Sequence, residues 1–388
     1  MSPRVVVVGG GHAGTTLAAL LRQGGHQGEI IMFGDEVDFP YHRPPLSKKF
    51  VDGDLEQWLR PAPFYAEQSI DLRLGERVSS VDRDARRVQA SDPCAYDVLV
   101  LATGARPRDL SVPGADAGGV VRLRTLEDAR ALRKHLVAER RVVIIGGGYI
   151  GLEVAAAARV NGVDVTIVER EQRVLARVAS HDLSAALTSY HRERGITILT
   201  NAVVRRLTSR DRQVQGVVLG DGTVLPCDVV VVGVGAAPRD ELGAAAGLHC
   251  DQGIVVDGSA RTSDPSVYAI GDVTRRPVPG VDEPMRLESI PSATEQARQA
   301  CASILGAKLP DPEVPWFWSD QFDLKLKIAG VVVPGHHVVR RGDPRSGKFA
   351  LYHHDNAGEV IAVETANAPA EFMAAKRLLR SRHAHSQV

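Results

Sequence analysis

Two stretches of this chain spell the same supersecondary unit, and that duplication constrains the fold more than any other feature. From Arg141 to Arg170 the residues RVVIIGGGYIGLEVAAAARVNGVDVTIVER read as strand, glycine-rich turn, helix and second strand. Arg4 to Gly25, RVVVVGGGHAGTTLAALLRQGG, opens an earlier copy. Val5–Val8 are four β-branched residues, as a parallel strand buried on both faces requires. Gly9, Gly11 and Gly14 follow as GxGxxG, then the small-residue helix GTTLAALL and the strand EIIMF, with Asp35 and Glu36 at its end. The later copy places Gly146, Gly148 and Gly151 after Val142–Ile145, then GLEVAAAARV, DVTIV and Glu169. Glycines at these places allow a tight turn, approach of a pyrophosphate to backbone N–H groups, and close helix–strand packing. Each copy has the full strand–turn–helix–strand–acid context, so both read as dinucleotide-binding units.

The duplication extends beyond the turns. AYDVLVLATGARPR (Ala95–Arg108) and LPCDVVVVGVGAAPR (Leu225–Arg239) are matching buried strands, each ending in a glycine turn. TSDPSVYAIGDV (Thr262–Val273) is a further strand ending in Gly-Asp, SATEQARQACASILG (Ser292–Gly306) a helix, and KLPDPEVP (Lys308–Pro315) a proline-punctuated linker. Beyond it, VVVPGHHVVRR, KFALYHH and EVIAVETA alternate like strands before a final helix from about Ala370, leaving SRHAHSQV unstructured. The expected fold is α/β: two Rossmann-like, glutathione-reductase-like dinucleotide-binding domains plus a small α+β C-terminal domain.

A chain of 388 residues is long enough for two or three cores. Forty-seven basic and 47 acidic residues cancel, giving no overall signal for nucleic acid or an anionic membrane. Cys94, Cys227, Cys250 and Cys301 lie far apart without CxxC spacing, against a disulfide framework or redox-active dithiol and for a reducing compartment. A strand beginning by Arg4 leaves no room for a signal peptide, and no apolar run approaches the ~18 residues of a membrane span, so a cytoplasmic location is expected. Of the 13 histidines, the pairs His336–His337 and His353–His354 would point to opposite strand faces, so no metal site is expected.

The order GGGHAG, YHRPPLSK, LATGARPR, IIGGGYIG, GVGAAPR, AIGDV, EQAR, PWFWSDQ resembles the FAD-dependent NADH–ferredoxin reductases of bacterial oxygenase systems, of the putidaredoxin-reductase and rhodocoxin-reductase type. The resemblance spans essentially the whole chain, although Ser292 stands where that family usually carries Asn. It implies an FAD domain over residues 1–113 and 242–310, an inserted NAD domain over 114–241, and an interface domain over 311–388. It also implies a function: electrons pass from NADH through FAD to a small [2Fe–2S] ferredoxin that feeds an oxygenase such as a cytochrome P450.

By the same resemblance, Gly9, Gly11, Ala13 and Gly14 cradle the FAD pyrophosphate, with Asp35 on the adenosine ribose; His12, inside that turn, counts with the cofactor-binding residues and is expected to pack at the surface rather than do chemistry. Asp272, after Gly271, meets the flavin ribityl chain. Arg124 pairs with the FAD phosphates or is a solvated helix-entry residue. Ala102, Thr103 and Gly104 border the cofactor, while Val78 and Ile290 either contact it or belong to the core. Gly148, Tyr149, Ile150, Gly151, Glu169 and Gly235 form the NAD set. A Glu169 carboxylate accepts both ribose hydroxyls and repels a 2′-phosphate, favouring NADH, although Arg170 and Arg173 stand close enough to favour NADPH instead. Lys48 and Glu153 are expected either to pair across the domain boundary and act catalytically at the flavin, as an ammonium stabilising developing negative charge, or to be two unrelated surface charges. Trp318 faces the iron–sulfur partner near the flavin, and Arg298 offers a basic docking position to it; both residues could equally serve structure alone. The oligomeric state expected is a monomer or weak dimer. Two other functions fit the same scaffold: an NADH oxidase or quinone reductase, and a non-catalytic NADH-sensing flavoprotein resembling apoptosis-inducing factor.

Overall fold

The computed structural model describes residues 2–48, 53–333 and 335–385. Ser386–Val388, part of the tail expected to be unstructured, lie outside them, but Ser381–His385 belong to the helix Pro369–His385. The chain divides into two compact units: Met1–His42, Glu56–Arg106 and Ala237–Phe317 form the first, and Arg43–Leu55, Pro107–Ala236 and Trp318–Val388 the second.

The first unit is built on a five-stranded parallel sheet in the order Val267–Ala269, Val98–Leu101, Val5–Val8, Ile30–Gly34, Ile70–Leu74. Val5 and Val7 face one side of the sheet, where the helices His12–Gln23 and Ile290–Ile304 pack through Ala13, Leu17, Leu21, Ala293 and Ala297. Val6 and Val8 face the other, against Phe33, Leu99, Leu101 and Ile254. Alternating side chains on a strand buried from both sides explain why this segment tolerates no polar residue.

The second unit repeats the plan. Its parallel sheet runs Thr197–Leu199, Asp164–Val168, Arg141–Ile145, Val229–Val232, Val120–Val121. The two sheets differ in where the edge strand next to the Val98 or Val229 strand comes from: it is the last strand of the first sheet in chain order but the first of the second. Each unit adds a three-stranded antiparallel meander, Ser80–Asp82 to Cys94–Ala95 in the first and Val204–Arg210 to Val224–Pro226 in the second. The second unit also holds a five-stranded antiparallel sheet in the order Trp316–Gln321, Leu324–Gly330, Val360–Ala366, Lys348–His354, His337–Asp343, whose first strand begins at the end of the first unit. The three alternating runs read from sequence are the last three of these strands, without the VVV preceding Pro334.

One buried ion pair stands inside the first unit. Arg276 Nη2 lies 2.6 Å from Glu295 Oε2, with both side chains at most 5% exposed. Glu295 Oε1 also accepts the backbone N–H of Glu313 at 2.8 Å, tying the proline-rich linker to the helix. Removing one member of a buried pair strands the other charge. Glu295→Leu is expected to cost about 3–5 kcal/mol, read as a lower urea midpoint for loss of the first unit's structure.

Candidate active site

The two fingerprint turns divide their glycines by task. A Cβ on Gly9 (φ +123°) would lie 2.1 Å from the Ala102 carbonyl oxygen, and one on Gly14 would lie 2.2 Å from that of Gly9. Gly146 (φ +111°) and Gly151 repeat this, meeting the carbonyl oxygens of Gly233 and Gly146 at 2.4 and 2.3 Å. These four are fixed by packing. The middle glycines are different: a Cβ on Gly11 or Gly148 meets nothing within 4 Å. Each is the N-cap of its helix, no side chain caps either, and neither first turn carries an acidic residue. Both helix starts thus present backbone donors to open space, the geometry a pyrophosphate needs. The residues fit a dinucleotide at each turn.

Around the first turn, Gly271 brings the AIGD turn close, since its added Cβ would stand 3.0 Å from Ala13 Cβ. Gln296 Oε1 accepts from the Gly271 N–H at 3.1 Å and the Thr274 hydroxyl at 2.7 Å, fixing the backbone that carries Asp272. Gln296 Nε2 donates to Ser292 Oγ at 3.1 Å, so the serine at the usual Asn position serves this buried network. Asp35 is exposed at its strand end and pairs with Arg239 Nη1 at 2.7 Å. Ala102 is buried, and Thr103 donates its hydroxyl to the Arg239 carbonyl at 2.7 Å while Gly104 accepts the Arg239 N–H at 2.9 Å. Val78 is core, 4% exposed among Val6, Val8 and Phe33, and Ile290 is half-buried in the first turn of its helix. His12 lies on the helix start with Nε2 3.2 Å from His42 Nδ1.

In the second unit, Glu169 Oε2 accepts the Gly147 N–H at 2.7 Å and Oε1 that of Glu171 at 2.9 Å, aiming the carboxylate along the turn. Arg173 is committed elsewhere, donating to the carbonyls of Ala176 at 2.9 Å and Ala179 at 3.0 Å. Arg170 is largely exposed and pairs with Glu171 at 3.1 Å. Ile150 is half exposed, and the Tyr149 hydroxyl is buried. Burial, then the Glu364 and Glu153 carboxylates, raise that phenol well above its usual range. Gly235 (φ +100°) takes a conformation that L residues rarely adopt. Arg124 is half-buried, with its carbonyl accepting from Arg43 Nη1 at 2.6 Å.

Lys48 and Glu153 meet: Nζ lies 2.9 Å from Oε1, with the carboxylate 5% exposed. Arg43–Leu55 belongs to the compact unit of the second repeat, so the pair forms inside that unit. Ser47 and Ser319 hydroxyls donate to the same carboxylate, a role their sequence gives no sign of. Arg298 pairs with Glu313 at 2.5 Å in a half-exposed contact, so its charge is partly answered within the chain. Trp318 is half-buried on the strand Trp316–Gln321. All four cysteines are unbonded, and burial pushes the Cys227 thiol up to about 12.

Two open helix starts on duplicated parallel sheets define a two-dinucleotide oxidoreductase. Residues 3–297 match the pyridine nucleotide-disulphide oxidoreductase family and 316–388 the C-terminal reductase domain. The chain is 47% identical to the probable ferredoxin reductase CtmF of Castellaniella defragrans, over 97% of this chain and 93% of that one. It is 42% identical to rhodocoxin reductase of Rhodococcus erythropolis, over 97% and 89%. A solved structure of the covalent putidaredoxin reductase–putidaredoxin complex superposes with a TM-score of 0.95 at 40% identity, covering 98% of this chain and 93% of that one. The chain belongs to the pyridine nucleotide-disulphide oxidoreductase family, among its ferredoxin reductases.

The division of labour among the glycines is testable. Gly11→Ala is expected to leave the fold intact while lowering the bound-FAD absorbance per protein. Gly14→Ala is expected to lower thermal stability as well, since its methyl has no room. Equal loss of stability in both variants would refute the division.

Proposed function

We infer that this chain is a flavoprotein reductase that passes electrons from NADH through FAD to a small [2Fe–2S] ferredoxin serving an oxygenase. The observation that carries the reading is the pair of open fingerprint turns in a chain whose four cysteines are all unbonded and mutually distant in sequence. Bound FAD supplies the conversion of a two-electron hydride into single electrons. The acceptor class follows the relatives: rhodocoxin reductase by name, and the putidaredoxin reductase solved joined to putidaredoxin.

In this reading Gly9, Gly11, Ala13 and Gly14 hold the FAD pyrophosphate, Asp35 its adenosine ribose and Asp272 its ribityl chain. Val78, Ala102, Thr103, Gly104, Arg124 and Ile290 complete the FAD set. Gly148, Tyr149, Ile150, Gly151, Glu169 and Gly235 hold the nicotinamide coenzyme. Glu169 is fixed by two backbone donors and Arg173 is spent on loop carbonyls, so the turn favours a free 2′-hydroxyl over a 2′-phosphate. Arg298 and Trp318 serve the ferredoxin interface. The domain division follows the family: 1–113 with 242–310 for FAD, 114–241 for NADH and 311–388 for the partner. A monomer or weak dimer is part of the reading. So is a cytoplasmic location, supported by the unbonded thiols; among the described residues no helix is long and apolar enough to cross a membrane.

Steady-state cytochrome c reduction with and without [2Fe–2S] ferredoxins tests the function. Strong ferredoxin dependence, with kcat/KM higher for NADH than for NADPH, is expected; rapid oxygen or quinone reduction that ferredoxin leaves unchanged would refute it.

Lys48 acts electrostatically. An ammonium locked by Glu153 stabilises negative charge that develops beside it, and loss of such a group costs ~2.7–4 kcal/mol. Lys48→Ala is expected to slow flavin reduction by NADH roughly 100- to 1,000-fold in stopped flow, with FAD still bound. Unchanged reduction kinetics would remove the role.

A further inference from the structure

Glu153 ends a buried hydrogen-bond chain that the assignment of Lys48 does not use. His191 Nε2 lies 2.8 Å from Gln321 Oε1, Gln321 Nε2 lies 3.1 Å from Ser319 Oγ, and Ser319 Oγ lies 2.6 Å from Glu153 Oε1. His191, Gln321 and Ser319 are each 0% exposed. All of these residues lie in the second compact unit, on the helix His181–Glu193, the strand Trp316–Gln321 and the helix Tyr149–Val160.

The chain has a direction. Ser319 accepts from the Gln321 amide, so its single hydroxyl proton is left for Glu153. Gln321 then presents its oxygen to His191, which must donate from Nε2. That leaves Nδ1 as a bare lone pair, and Nδ1 is a buried atom with no hydrogen-bond partner. A protonated ring would bury an unsatisfied N–H there, at greater cost than a lone pair. Burial accordingly lowers the imidazole pKa to about 4, opposed by the Gln321 bond and helped by Arg194. Every donor in the chain points toward Glu153, as do Ser47 and Lys48. A reversed Gln321 would turn the Ser319 proton away from the carboxylate and set a lone pair against it.

We propose that Gln321 and His191 are positioning residues, acting through Ser319 to hold the Glu153 carboxylate, and with it the Lys48 ammonium, in one place. The proposal rests on the role assigned above to Lys48. Among the described residues, Lys48 from the segment Pro45–Lys48 pairs with Glu153, and Glu153 acts on Tyr149 of its own helix, as does Glu364 from the strand Val360–Ala366. Arg194 faces His191. A neutral donor chain fixes the orientation of the Glu153 carboxylate without adding a charge of its own.

Two measurements test it on the FAD-loaded protein. ¹⁵N-histidine NMR, with the His191 signals assigned by His191→Phe, is expected to show a neutral Nε2–H imidazole down to about pH 5. Stopped-flow flavin reduction by NADH is expected to slow roughly 10-fold in Gln321→Leu and Ser319→Ala with FAD content unchanged. Ser319→Thr, which keeps the hydroxyl, is expected to restore the wild-type rate. A neutral Nδ1–H tautomer in the wild type would overturn the proposal even if no variant folds. So would a wild-type rate in Gln321→Leu; if Lys48→Ala is slow in the same assay, only the chain fails. An unimpaired Lys48→Ala would instead overturn the role of Lys48 and the proposal with it.

Discussion

Everything else in each unit depends on one close backbone approach. The helix after each glycine turn comes so near its own strand that a single methyl at Gly14 or Gly151 would fall about 2.2–2.3 Å from a carbonyl oxygen. That contact places the uncapped helix start at the carboxyl end of the central parallel strand. Asp35, Asp272 and Glu169 follow the carboxyl ends of other strands in the same sheets. Ligands in open α/β sheets bind at that edge because the strand directions leave the helix starts there. The glycines make the approach sterically possible, and the aligned β-branched strands hold it in place.

The two copies then diverge within one helical turn. Counting from the turns, Glu153 takes the place of Thr16, and Tyr149 that of His12. Thr16 is half-buried, whereas Glu153 is buried beneath three donors from two other segments of the chain. A carboxylate so placed is tolerable only with its charge answered and its oxygens hydrogen-bonded. The answer comes from Pro45–Lys48, which follows the first fingerprint in sequence but belongs to the second unit, where it packs on the second fingerprint helix. Duplication supplied the scaffold, and the asymmetry between copies supplied the charge.

How much of this the residues disclose depends on the range of the interaction. The fingerprint turns are legible because their contacts are local: strand, turn and helix lie within some 20 residues of one another, and their periodicity is visible. Lys48 and Glu153 are 105 positions apart and were legible only through the likeness of YHRPPLSK and the second glycine turn to a family. Ser319, Gln321 and His191 carry no such signal. Serine and glutamine are ordinary surface residues, and their burial here arises from contacts spanning 130 to 166 positions. Arg298 shows the opposite failure: its basicity is plain in EQAR, but the Glu313 that partly answers it cannot be foreseen. Ser381–His385 are helical against expectation for a related reason: the Pro369–His385 helix packs on the strands Leu324–Gly330 and Val360–Ala366, contacts that no strong apolar period announces.

The C-terminal sheet is more than an addition to the second repeat. Its first strand supplies Ser319 and Gln321 to the Glu153 site. A strand at its centre supplies Glu364, which accepts the Ser180 N–H at 3.0 Å and the Ser180 hydroxyl at the start of the helix His181–Glu193, and contacts His353 Nε2 at 3.0 Å. That same helix carries His191. The sheet therefore fixes the helix at both ends, through a carboxylate at its N-terminus and an amide near its C-terminus. A negative charge at a helix N-terminus is stabilised by the orphan N–H groups, and a neutral imidazole asks nothing of the other end but an acceptor. Glu364 and Glu153 both act on the buried Tyr149 hydroxyl, so the two polar clusters share one neighbour in the second fingerprint helix. This is why Trp318–Val388 belongs to the compact unit of Pro107–Ala236: buried polar groups that need partners from both parts hold them together more specifically than apolar contact alone.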